Sequence, residues 1–246
     1  MRSRSRRALL SVAGAVCLVW LLAAPVAAQS TNRELIDGLN TQLLYVALPL
    51  TVFVELILVY AVIRFRDNDD PKPTADSPAL EITWTLATAI ILLFVGVSAY
   101  VVLTSPFISP GAGAPTETLE TDERVEALGY QWGWEFTYPE ADVSTQGVLV
   151  LPADRNASIE LTSADVLHSL FIPDLGVKRD VFPAKETTIR TRPTETGDYR
   201  AYCTELCGAG HSRMRADVVV VSNATYQDWL DDHAGEESVT EAPTPE

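Results

Sequence analysis

The sequence predicts a two-helix transmembrane hairpin followed by an all-β sandwich. Two apolar stretches, Thr41 to Ile63 and Ile82 to Thr104, each run for 23 residues. At ~1.5 Å per helical residue each can cross a hydrocarbon core of ~30 Å. Beyond them, from Val125 to Ser222, short β-branched and aromatic runs alternate with turn residues every 8 to 15 positions. That spacing is the pattern of an antiparallel sandwich or barrel.

In chain order, residues 1–28 read as a secretory signal. Arg2, Arg4, Arg6 and Arg7 precede an apolar run, and Val26, Ala27 and Ala28 suggest cleavage before Gln29. Arg6 and Arg7 form a twin-Arg pair without the other features of that route, so general secretion is the simpler reading. A retained first membrane helix is the alternative. Cys17 lies inside the apolar run and leaves with it on cleavage. Residues 29–40 then form an exported N-terminal segment.

The hairpin occupies residues 41–104. Arg64, Arg66 and Lys72 crowd the loop between the spans, whereas the flank before the first has only Arg33 and the flank after the second has no basic residue until Arg124. This bias puts the loop in the cytoplasm and everything beyond Ser105 outside. Glu55 interrupts the first span. An ionisable group is costly there, so it should face protein and implies a membrane partner, unless it is protonated or hydrated within the helix pair.

Residues 105–122 are rich in Ser, Pro and Gly near their start and read as a linker; 123–222 form the exported domain. Its strand candidates include Gly147 to Leu151, Ser158 to Thr162, Thr187 to Arg192 and Met214 to Val221. In the last segment, 223–246, Asn223 to His233 has the pattern of a short helix packing Tyr226, Trp229 and Leu230. Gly235 to Glu246 is acidic and predicted to be disordered.

Charge narrows the function. The formal net charge is −15, carried entirely from Ser105 onward by 25 acidic against 10 basic residues. Phosphate binding needs basic patches, so nucleic acid is excluded as a partner. Three lysines stand beside 15 arginines, and an acidic, lysine-poor exterior has the composition of a protein adapted to high salt. Asn156-Ala-Ser and Asn223-Ala-Thr match the glycosylation pattern, a weak signal at three residues.

The chemistry concentrates in Cys203-Thr-Glu-Leu-Cys207-Gly-Ala-Gly-His211-Ser-Arg-Met214 and in His168, within Asp165-Val-Leu-His168-Ser. Apart from Cys17, Met1 and His233, these hold every Cys, His and Met of the chain. A disulfide suits an exported domain but gives His168, His211 and Met214 no role. A Cys2His2 zinc site uses four ligands and leaves Met214 aside. Copper uses all five, since thiolate and thioether are soft donors and His2Cys sites with a weak axial Met are of the electron-transfer type. A second thiolate permits a second ion, with both sulfurs shared and one imidazole on each.

These residues resemble subunit II of the cytochrome c oxidases, and the resemblance covers nearly the whole chain after the signal. The family's C-x-E-x-C-G-x-x-H-x-x-M motif is complete at Cys203, Glu205, Cys207, Gly208, His211 and Met214, and its D-V-x-H-S stands at Asp165 to Ser169. The resemblance implies a cupredoxin-like Greek-key sandwich with a dinuclear copper centre, CuA. His168 and His211 are then the terminal imidazoles, Cys203 and Cys207 the bridges, Met214 the axial thioether and Glu205 the carbonyl donor. It also implies a magnesium ion shared between Glu205 and subunit I. Tyr130-Gln-Trp132-Gly-Trp134 is similar to the family's aromatic stretch, where Trp132 admits electrons, although core packing explains the same aromatics. Glu81-Ile-Thr-Trp84 resembles a proton-uptake entrance, and equally an interfacial Glu beside an anchoring Trp. Gly133 and Leu170 depart from the pattern, in positions that bear on donor docking and the electron route.

The expected function is therefore a copper-bearing subunit of a proton-pumping oxidase in the cell membrane, its domain on the extracellular side. Electrons come from cytochrome c or a small blue copper protein and pass to haem in subunit I, with subunit III as a further partner. Quinol oxidase subunits of this fold lack the copper ligands, nitrous oxide reductase needs a second large metal domain, and a tethered cupredoxin carrier or copper chaperone needs only one span.

Overall fold

The structure is a computed structural model that describes residues 28–110 and 122–245. The signal segment up to residue 27, including Cys17, and linker residues 111–121 lie outside the described residues.

Helix α1 spans Thr31–Phe65 and α2 spans Pro78–Leu103, and both are long and apolar enough to cross a membrane. α1 begins ten residues before the apolar stretch. Hydropathy registers only the lipid-facing turns, whereas the polar turns from Thr31 are helical too, because Ser30 caps them by accepting from the Arg33 N–H at 3.1 Å. α2 opens with Pro78 in its first turn, where a missing N–H costs nothing. The start of α1 is fastened to the exported domain. Ser30 Oγ donates to the Leu175 carbonyl at 2.6 Å, Asn32 Nδ2 to Phe107 and Arg190 carbonyls at 2.6 and 2.9 Å, and Thr31 N–H to Arg192 at 3.0 Å. Ser30 and Asn32 are buried in consequence.

Ten strands follow: β1 Glu123–Tyr130, β2 Gly133–Tyr138, β3 Val143–Gln146, β4 Val148–Pro152, β5 Ala157–Ser163, β6 His168–Ile172, β7 Val177–Val181, β8 Thr187–Thr191, β9 Gly197–Cys203 and β10 Arg215–Val221. They form two five-stranded sheets, ordered β3-β2-β1-β5-β8 and β4-β10-β9-β6-β7. The sandwich is mixed rather than antiparallel throughout, since β1 pairs parallel with β5 and β10 with β4. Alternation reveals a strand but not its neighbour, so this pairing was beyond the sequence. β4, buried at all five positions, has the continuous burial of a parallel strand.

Trp134, Phe136, Leu149, Leu151, Ile159, Leu161 and Leu170 fill the space between the sheets with no exposed surface. Each is worth ~1.5–3 kcal/mol of apolar burial. Helix α3, Asn223–Asp232, is capped by Ser222, which accepts from Thr225 N–H, and sets Tyr226 and Trp229 edge-on against Tyr138 at 6.3 and 5.3 Å between ring centres. The segment after α3 is not free as predicted. Ser144 N–H donates to Glu236, Val239 N–H to Ser144 and Gln146 N–H to Val239, so the acidic tail extends the sheet beside β3 and buries Val239. Composition registered its charge and missed this backbone pairing.

Candidate metal centre

His168 opens β6, Cys203 ends β9, and the other candidate donors sit in the loop from Thr204 to Met214 that leads into β10. β6 and β9 are neighbours, with Leu170 opposite Cys203, which brings His168 beside that sulfur. The loop is closed at its base by Cys203 N–H to Met214 O at 3.1 Å and anchored to β6 by Thr204 N–H to Ser169 O at 3.0 Å. Within it, a single 3-10 turn over His211–Arg213 carries His211 back toward the cysteines.

The donor atoms converge. Cys203 Sγ lies 3.8 Å from Cys207 Sγ and 3.8 Å from His168 Nδ1. Cys207 Sγ lies 3.6 Å from His211 Nδ1 and 3.7 Å from Met214 Sδ, and the Glu205 carbonyl oxygen is 3.3 Å from Cys203 Sγ. His168, Cys203, Cys207 and Met214 are buried, while His211 and Glu205 are half-buried. A disulfide requires sulfurs ~2.0 Å apart, so these two are free thiols. Sulfurs 3.8 Å apart can both be reached by one ion through metal–thiolate bonds of ~2.3 Å. The donor set therefore fits a soft metal. Burial, followed by the hydrogen bond and charge of Cys203, pushes the Cys207 thiol up to about 11. Metal binding must consequently displace its proton.

Three supports went unread in the sequence. Asp165 Oδ1 meets His168 Nε2 at 2.8 Å, which directs the other ring nitrogen at the sulfur cluster, as carboxylates do behind metal-bound imidazoles. Burial opposes ionisation of Asp165, yet its bonds to His168 and to the Val166 and Gln131 N–H groups outweigh it and hold the carboxyl below its ordinary range. Gln131 is the second support, since its Nε2 donates to the Cys207 carbonyl at 2.7 Å while its backbone N–H binds Asp165 at 2.7 Å. The only signals were a carboxylate three residues before a histidine and an amide beside a tryptophan.

Gly210 is the third. Trp132, 44% exposed, donates its Nε1–H to the Cys207 carbonyl at 3.2 Å and lies over Gly210, where a Cβ would come within 2.3 Å of the indole. Gly210→Ala should expel the indole and cost ~1–3 kcal/mol, read as a change in tryptophan fluorescence and a lower unfolding midpoint. At Gly133, a Cβ would meet the Tyr130 ring, whose hydroxyl donates to Gln146, so that ring occupies the space of a larger residue. Leu170 is a core residue with no exposure. Glu81 lies in the first turn of α2, at the opposite end of that helix from the exported domain.

Two family models match: the transmembrane domain of cytochrome c oxidase subunit II over residues 18–102, and its periplasmic domain over 141–222, which contains every candidate donor. The chain is 30% identical to cytochrome c oxidase subunit 2 of Cereibacter sphaeroides, over 87% of this chain and 78% of that protein. The chain belongs to the cytochrome c oxidase subunit II family. Its counterpart in Synechocystis is 30% identical over 84% of this chain and 74% of that one. The periplasmic domain of a Bradyrhizobium japonicum subunit II is 26% identical, covering 46% of this chain and 93% of that one with a TM-score of 0.44. As subunit II, the chain is part of a haem-copper terminal oxidase, an oxidoreductase complex, with two transmembrane helices and its C-terminal domain outside.

Proposed function

We propose that the centre holds two copper ions as CuA, with Cys203 and Cys207 bridging, His168 and His211 terminal, and Met214 and the Glu205 carbonyl as weak further donors. The observation that carries this reading is two facing thiols 3.8 Å apart with an imidazole nitrogen within 3.8 Å of each. Zinc would leave Met214 Sδ, 3.7 Å from Cys207 Sγ, without a role. A bound copper pair supplies a one-electron store shared over two ions. The chain's own residues hold it still: Asp165 fixes the His168 ring, Gln131 and Trp132 fix the Cys207 carbonyl, and burial excludes water. Metal analysis of the purified protein should find two coppers per chain, with a purple colour and a seven-line paramagnetic spectrum. A single ion, or a colourless and silent protein with both thiols intact, would overturn the assignment.

In this reading the donor, cytochrome c or a small blue copper protein, docks over Trp132, and the electron continues to haem in subunit I, where oxygen is reduced and protons are pumped. Subunit III completes the partners. The Glu205 carboxylate shares a magnesium ion with subunit I, and Glu81 marks a proton-uptake entrance. Residues 1–28 are the signal peptide of a cell-membrane protein whose domain is extracellular.

The acidic, lysine-poor exterior suits high salt, and at ~1 M the screening length falls to ~3 Å, which removes electrostatic steering. Docking then rests on the apolar surface of Trp132, Val166 and Leu206, exposed by 44, 38 and 79%. Donor reduction rates in stopped flow should change less than tenfold between moderate and molar salt; a steep decline sinks this view of docking.

A further inference from the structure

Where the hairpin joins the exported domain, the packing leaves a cavity. Ser30 holds the start of α1 on the turn before β7, and Gly176, at φ +65°, brings the Arg33 backbone within 3.0 Å of where a Cβ would stand. Beside this contact the two helices and the edge of the sheet enclose about 390 Å³, within the range of small-ligand sites. The helices line it with Ile36 and Leu39 of α1 and Ala99, Val102 and Leu103 of α2, all apolar. Its level is fixed by the sequence. α2 ends at Leu103 and the apolar stretch of α1 begins at Thr41, so the cavity lies at the outer boundary between hydrocarbon and headgroups.

The charge beside this cavity runs against the rest of the domain. A second hollow of about 470 Å³ shares Lys178 and Arg179 with the first and adds Lys185, with Asp180 the one acidic residue on its wall. Beyond Ser105 the chain has two lysines among 10 basic and 25 acidic residues, and both are here. Among the described residues no carboxylate pairs with Lys178 or Lys185, and the Arg179 side chain makes one bond, from Nε to the Thr188 carbonyl at 3.1 Å. Cations on long stems can lie along an apolar wall while their charged ends reach the polar side of the boundary. They complement an anion that carries a hydrocarbon tail. Asn32, 1% exposed, adds a second sign of an occupant on the opposite wall: its Nδ2 donates to the Phe107 and Arg190 carbonyls, and its Oδ1 has no donor among the described residues. Such a buried acceptor calls for a donor that this chain does not supply.

We propose that this junction binds one anionic glycerophospholipid of the outer leaflet, its phosphate held by Lys178, Arg179 and Lys185 and the upper part of an acyl chain seated among Ile36, Leu39 and Ala99. A guanidinium binds phosphate through paired N–H groups and an ammonium binds it as a point charge. Each basic side chain near the membrane surface adds about fivefold in affinity for an anionic lipid. A glycerol headgroup brings hydroxyl donors for Asn32 Oδ1 without a cation that the three basic residues would repel, so phosphatidylglycerol is the best match. The site is separate from the metal centre and independent of the copper assignment, since His168 faces Val181 at one end of β7 and the cavity lies at the Val177 end.

The test uses the whole oxidase complex reconstituted in phosphatidylcholine vesicles. A trace of phosphatidylglycerol with a photoreactive diazirine on an early acyl carbon is the probe, and phosphatidylcholine with the same acyl chain is the neutral comparison. Illumination and peptide mapping should place the phosphatidylglycerol label on Asn32 to Leu39 and Ala99 to Ile108, at least about tenfold above the phosphatidylcholine label. Lys178→Gln combined with Lys185→Gln should lower that labelling about 25-fold. Ala99→Phe, which fills the cavity and leaves the charge untouched, should also remove the label from these peptides. Equal labelling by the two lipids, or labelling unchanged in the double-lysine variant, overturns the proposal. So does the absence of both labels, the result expected if another subunit covers the cavity. Displacement of the label by millimolar inorganic phosphate also overturns it, because the site would then take a soluble anion rather than a lipid.

Discussion

Cys207→Ser should reduce the metal content from two coppers per chain to at most one and abolish electron acceptance from the donor. Cys207 is the most connected donor of the centre: its sulfur meets Cys203, His211 and Met214 at 3.8, 3.6 and 3.7 Å, and its carbonyl accepts from both Gln131 and Trp132. Serine keeps the shape and the carbonyl contacts but replaces a soft thiolate by a hydroxyl, a poor match for copper. The fold should therefore survive while the seven-line spectrum disappears. Met214→Leu is the informative companion, since a weak axial donor is dispensable for holding metal and should leave two coppers with an altered spectrum. If Cys207→Ser retains both ions and the spectrum, sulfur bridging is wrong.

The largest loss of stability is expected from Asp122→Ala. Asp122 sits just before β1 and grips Arg190 of β8 through two bonds, at 2.5 and 2.9 Å, with both residues at 5% exposure or less. Removing the carboxylate breaks this buried ion pair, a loss of ~3–5 kcal/mol. For a domain of this size that corresponds to a fall in midpoint of roughly 10–20 °C in thermal unfolding of the detergent-solubilised protein. Arg190 also lies 5.0 Å over the Phe107 ring, and its carbonyl accepts from Asn32, so loosening it should loosen the hold of the domain on the start of α1 and on the end of the hairpin. A change below ~1 kcal/mol would mean that water reaches the arginine. Asp122→Ala should leave copper content intact, which separates this loss from that of Cys207→Ser.

Much of the site was legible because its chemistry is carried by residue type. Cys203, Cys207, His211 and Met214 lie within twelve positions, and soft donors at that density point to metal before any fold is known. His168 was legible from the Asp165-Val-Leu-His168-Ser motif and as the remaining histidine of the exported domain besides His233. Its neighbourhood with Cys203 is created by the β6–β9 pairing across 35 residues. Asp165, Gln131 and Gly210 went unread for the same reason. A carboxylate, an amide and a glycine are ordinary in loops, and nothing local shows that they meet His168, the Cys207 carbonyl and the Trp132 ring.

The sequence alone determined that the chain carries two membrane spans, an exported β domain and a cluster of soft ligands, because hydropathy, strand alternation and donor softness are properties of single residues and their spacing. Only the tertiary structure decided which strands run parallel, that the acidic tail pairs with β3, and that Asp122 meets Arg190. Each of these depends on contacts between segments far apart in the chain. Such contacts are settled by packing all segments at once, and no local window records them.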